Sequence, residues 1–102
     1  MTDAARVLDA LGDPTRRHVL ELLRDGERSV RELTDASSVS QPAVSQHLRV
    51  LRDAGLVDVR AAGTRRLYRV RPDGLGDVRA WVDTLWDDAL GAFAAHVEEQ
   101  QR

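Results

Sequence analysis

The sequence predicts a mainly α-helical domain closed by one small β-hairpin, and three observations predict it. Apolar residues recur at helical spacing in successive stretches, most of them opened by a capping residue or a proline. The period falls to two between Leu56 and Arg71, around an Ala62-Gly63-Thr64 turn. Beyond Pro72 the helical spacing returns and runs on to Val97. At 102 residues, with 42% hydrophobic and 31% charged residues, the chain reads as one ordered domain, residues 1–102. Alone it would bury only somewhat over half of its unfolded surface, so a partner subunit would help it.

The first helix is expected from about Thr2 to Leu11, with Ala4, Val7, Leu8 and Leu11 on one stripe and Gly12 as its stop. Asp13 then caps a second helix whose first turn holds Pro14, and Val19, Leu22 and Leu23 point inward until Asp25-Gly26. Ser29-Val30-Arg31-Glu32 has the form of a capping box, the serine reaching forward and the glutamate back to unpaired N–H groups. It opens a short third helix through Leu33 and Ala36. After the Ser37-Ser38-Val39 turn, a fourth helix runs from Ser40 or Gln41 to Asp53, with Pro42 in its first turn and Ala54-Gly55 closing it. In the hairpin, Val57 and Val59 alternate with Asp58 and Arg60, and Tyr68 and Val70 with Arg69 and Arg71.

The last helix, expected over residues 73–97, has too many apolar residues for one stripe. Leu75, Val78, Val82, Leu85 and Ala89 trace one seam, and Trp81, Trp86, Leu90, Phe93 and Val97 widen it to most of the circumference. A terminal helix of that kind in so small a chain packs against its own domain and a second subunit. Val7, Leu8 and Leu11 of the first helix join Val78, Trp81, Val82, Leu85, Trp86 and Phe93 as the expected dimer surface.

Charge sharpens the picture. The net charge is −2, but residues 1–39 carry six Arg against eight acids, residues 40–71 seven against two, and residues 72–102 two against seven. All 15 basic residues are Arg, whose planar donor fork suits phosphate and guanine edges. The absence of cysteine excludes disulfides and thiolate metal sites. The acidic N-terminus lacks the form of a signal peptide and no apolar run is long enough for a bilayer, so a cytoplasmic location is expected.

Two short helices across a serine-rich turn, residues 29–54, followed by a basic hairpin at residues 56–71, describe a winged helix-turn-helix. Stepping about 100° per residue from Val44 puts Leu48 and Leu51 within about 40° of it, and Pro42, Ser45, Gln46 and Arg49 between about 100° and 200°. Gln can bond adenine bidentately, Ser can donate or accept at several base edges, and Arg takes guanine or phosphate. Gln41, Ser45 and Gln46 therefore face base edges, and Arg49 and Arg52, farther along the helix, face phosphates. Arg65 and Arg66 beside Gly63 reach the flanking backbone or minor groove. His47 borders the core stripe, where packing with an N–H lent to phosphate and a base contact both fit.

The stretches LGDPTRRHVLELL, SVRELTDASSVSQPAVSQHLRVLRDAGLV and GTRRLYRV resemble the ArsR family of bacterial dimeric repressors over nearly the whole chain. The resemblance implies that the SQPAVSQHL helix reads the major groove of an inverted-repeat operator through Ser40, Gln41, Ser45, Gln46 and His47. It implies a wing contact through Arg65 and Arg66, and dimerisation through the first and last helices. The family is best known for metal sensing, and the resemblance implies that a site on the last helix, shared between two antiparallel partner helices, would fall on Asp83, Leu85, His96 and Glu99. Leucine replaces one donor there, so no metal and no cofactor is expected, Asp83, His96 and Glu99 being the residual candidates. The expected function is a homodimeric repressor on double-stranded operator DNA, with autoregulation as one form of it.

Two alternatives share this sequence: a repressor that senses a metal or small molecule through the last helix, and a winged helix that docks an acidic protein. An enzyme is not expected. Ser45 and His47 lie too close along one helix to act as nucleophile and base, and no glycine-rich phosphate loop is present.

Overall fold

The computed structural model describes residues 3–101. Its elements run α1 (Asp3–Ala10), α2 (Pro14–Leu22), β1 (Arg28–Ser29), α3 (Val30–Ala36), α4 (Gln41–Asp53), β2 (Val57–Ala62), β3 (Arg65–Val70) and α5 (Gly76–Gln100). This is the mainly α winged helix-turn-helix that the sequence predicts. Thr2, expected at the start of the first helix, lies outside the described residues.

Local chemistry sets most boundaries. The Asp13 carboxylate accepts from the Thr15 and Arg16 N–H groups at 2.8 and 3.1 Å and so caps α2. The capping box forms: the Glu32 N–H donates to Ser29 Oγ at 3.2 Å, and the Ser29 N–H to Glu32 Oε1 at 3.1 Å. At the end of α4 the Gly55 N–H donates to the Arg52 carbonyl and the Leu56 N–H to the Leu51 carbonyl, both at 2.9 Å. That is a Schellman cap, and Gly55 takes its positive φ of 79°. It turns Leu56 into the core, where it is buried, and starts the wing.

The sheet is antiparallel in the order β1-β3-β2, with Val57 opposite Val70 and Ala62 opposite Arg65 across a turn at Gly63-Thr64. Strand β1 has no counterpart in the sequence reading, because two residues carry no alternation to detect. The core joins Val7, Ala10, Val19, Leu23, Leu33, Val44, Leu48, Leu51, Leu56 and Val57, one or more from every element except β1, β3 and α5.

Three expectations need correction. Val7, assigned to a partner surface, is 2% exposed and already spent on the chain's own core. Leu11 and Val78 also pack against that core but keep part of their surface open, so their expected place on a partner surface stands as an expectation. The second helix stops at Leu22, not at Asp25, because the Leu23 and Arg24 N–H groups turn to carbonyls three residues back. The last helix starts at Gly76: residues 71–75 are held as a turn, with the Gly74 N–H on the Arg71 carbonyl and the Gly76 N–H on the Asp73 carbonyl, both at 3.0 Å.

Helix α5 leaves the body. None of its described residues is buried, and the molecule measures 69 × 26 × 24 Å. No helix among the described residues is long and apolar enough to cross a membrane.

Candidate nucleic-acid interface

Helix α4 divides its two sides as the spacing predicts. Val44, Leu48 and Leu51 are fully buried, while Gln41, Pro42, Ser45, Gln46, Arg49 and Arg52 are exposed. Ser40 caps the helix, its Oγ accepting the Ala43 N–H at 3.4 Å, and this leaves its hydroxyl proton for another acceptor. Arg49 and Arg52 have no ion-pair partner among the described residues. Their side of the helix thus offers amides, hydroxyls and unneutralised guanidinium groups together.

His47 sits elsewhere. It is half-buried, and its Nδ1 is enclosed without a hydrogen-bond partner among the described residues. It lies near enough to Asp13 to help hold that carboxyl below the ordinary range, an effect due first to the Arg16 N–H and then also to that of Thr15. His47 therefore borders the seam between α4 and the start of α2 while part of its ring stays open, which fits either of its expected roles.

The wing separates its two tip arginines. Arg65 lies opposite Ala62 and Arg66 opposite Ala61, so strand alternation sends them to opposite faces. Arg66 joins Arg52, Arg60, Val59 and Ala61 around a surface pocket of about 330 Å³ between α4 and the wing. Arg65 pairs with Glu32, the same carboxylate that completes the α3 capping box. Arg60, which the sequence reading did not single out, donates from Nε to both Glu27 oxygens at 2.9 Å. The partner of each arginine is 33 residues away, so local pattern gave no signal for either pair.

Arg52 and Arg66 at this pocket, beside a helix whose outer side is mostly polar, form a surface for a polyanion. Comparison with known proteins agrees. Residues 13–59 match the family model described as "Bacterial regulatory protein, arsR family". The chain is 45% identical over 95 residues to the HTH-type transcriptional regulator Rv2034 of Mycobacterium tuberculosis, covering 93% of this chain and 89% of that protein. The chain belongs to the arsR family.

This ArsR-family chain is also similar to the HTH-type transcriptional repressor SmtB of Mycobacterium tuberculosis, 41% identical over 75 residues, 74% of this chain and 56% of that one. Among solved structures it resembles the homodimeric winged helix-turn-helix DNA-binding domain of Mb0332 from Mycobacterium bovis. That match has a TM-score of 0.68 and 34% identity over 86% of this chain and 82% of the other. The ArsR-family chain is a transcriptional regulator with a winged helix-turn-helix DNA-binding domain.

The family's metal chemistry does not fit the donors in this chain. Asp83 and His96 are thirteen residues apart on one helix, so a site of the family's kind would join them only across two antiparallel partner helices. Leu85 stands exposed where a donor would be needed, which leaves the set one ligand short. The His96 ring instead faces Gln100, Nε2 to Nε2 at 3.1 Å.

Proposed function

We propose that the chain is a homodimeric repressor that binds an inverted-repeat DNA operator without a metal cofactor. The observation that carries this is the two-sidedness of α4: three fully buried core residues on one side, and Gln41, Ser45, Gln46, Arg49 and Arg52 exposed on the other. In the major groove Gln41, Ser45 and Gln46 meet base edges, with the Ser40 hydroxyl at the helix start, while Arg49 and Arg52 meet phosphates. The wing adds Arg66 on the flanking backbone.

Self-association is supported by the exposed apolar residues of α1 and α5. Leu8, Trp81, Val82, Leu85, Trp86 and Phe93 are all 40–65% exposed. The homodimeric relative from Mycobacterium bovis and the repressor SmtB support the same reading. Pairing through α5 would set two copies of α4 on one side of a duplex, about one helical turn (~34 Å) apart.

A footprint of the purified protein on the DNA upstream of its own coding region tests this, with and without added zinc. Two protected half-sites of inverted sequence, unchanged by zinc, are expected. A single unpaired site, or release by zinc, would contradict it.

A further inference from the structure

The wing's ion pairs carry an inference that rests on the DNA-binding reading and deepens it. Arg60 on β2 and Arg65 on β3 share one face of the wing, since Arg60 pairs across the strands with Leu67 and Arg65 lies two residues from it. Two carboxylates flanking the short β1 meet them there. Glu27 takes Arg60 through both oxygens, and Glu32 takes Arg65. Glu32 is itself anchored by the Ser29 N–H at 3.1 Å, so it offers a fixed acceptor and not a wandering surface charge. Arg66, which strand alternation turns the other way although it still borders the groove of Arg65 and Glu32, has no ion-pair partner among the described residues.

We propose that Glu32 is an internal counter-ion that stands where a phosphate would stand, holding Arg65 as a positioning residue of the wing and out of contact with DNA. Arg66 is then the tip arginine that meets the phosphate backbone. The arrangement trades one cationic contact for a wing tied to the start of α3, the helix that precedes the groove-reading one. Neighbouring charges fit the assignment: Arg28 also lies close enough to Glu32 to stabilise its carboxylate, which keeps the counter-ion ionised.

The number of phosphates a protein neutralises sets the salt dependence of its affinity, with a log–log slope near −0.9 per phosphate. This separates a positioning arginine from a contacting one. The test measures that slope for binding to a short duplex of arbitrary sequence, where phosphate contacts dominate, for the wild type, Arg65→Ala, Arg66→Ala, Glu32→Gln and the double variant Glu32→Gln/Arg65→Ala. Gln keeps a side-chain oxygen for the Ser29 N–H, so the helix cap is preserved.

Arg66→Ala is expected to flatten the slope by about 0.9 and Arg65→Ala to leave it unchanged. Glu32→Gln frees Arg65 and steepens the slope by about 0.9, so that a fourfold rise in salt costs about threefold more affinity than in the wild type; removing Arg65 from that background abolishes the gain. A flatter slope in Arg65→Ala alone, or no change in Glu32→Gln, overturns the assignment of Glu32 and leaves the DNA-binding reading intact. A wild-type protein whose affinity ignores salt overturns both.

Discussion

Gln46 and Arg66 both face outward, yet their chemistry separates what each can do. An amide can match the donor and acceptor of one base edge, whereas a guanidinium on the wing meets a phosphate that every sequence presents. Gln46→Ala is therefore expected to narrow the affinity difference between operator and unrelated DNA, and Arg66→Ala to weaken both alike, as read by competition binding. Uniform loss in both variants would show that Gln46 does not read bases.

Acid sensitivity belongs to the same scale. Asp13 is held below the ordinary carboxylate range chiefly by the Arg16 N–H, Glu27 by the Arg60 guanidinium, and Glu32 by the Ser29 N–H. With native values below unfolded ones, the unfolded chain takes up more protons on acidification. The contribution is present above the ordinary range and lost as pH falls through the native values. Thermal melts should hold steady near neutrality and fall below about pH 4.5, less steeply in Asp13→Asn, which keeps a capping oxygen but cannot titrate. An equally steep fall in that variant would remove Asp13 from the account. The Asp13 cap and the Ser29/Glu32 box were legible from type and spacing; the pairs to Arg60 and Arg65 were not, because they depend on how the wing folds back.

Among the elements, α4 was legible to within a residue, since proline, serine cap and terminal glycine bracket a strong apolar stripe. Leu48→Ala should cost about 2–5 kcal/mol in denaturant unfolding, because no side chain is free to fill the hole. The start of α5 was misplaced for want of a tertiary fact. A Cβ added at Gly74 would stand 2.6 Å from the Gly55 carbonyl and 3.1 Å from Leu56 Cα, so this loop is pressed onto the Schellman cap of α4. Proline and aspartate at residues 72 and 73 suggested a helix start, but the close approach keeps the chain in a turn until Gly76. Gly74→Ala should lower the melting temperature markedly, since both obstacles are backbone; a neutral result would mean the two loops are not in contact.

As a whole the molecule is drawn out. Its radius of gyration is 18.5 Å, where a compact chain of this length has about 13 Å. Its surface of 7305 Å² exceeds by about 1,600 Å² that of a compact monomer of its mass. An excess of that order is what one subunit of an obligate dimer buries. The apolar excess of α5 was visible in the sequence; which apolar residues the chain keeps for its own core was not, and Val7 of α1 shows the difference. Leu85→Asp and Trp86→Asp, each at an exposed position of α5, should turn the dimer into monomer in sedimentation and weaken operator binding by orders of magnitude. Variants that stay dimeric would move the interface away from α5.

The most direct test of the central claim, that α4 and the wing form the surface on which a duplex sits, is a map of side-chain NMR shifts as operator DNA is added. The account predicts that the amide groups of Gln41 and Gln46 and the Nε–H groups of Arg49, Arg52 and Arg66 move together, with the end of α5 unaffected. Shifts confined to α5, or to the surface of α1 and α2, would contradict it.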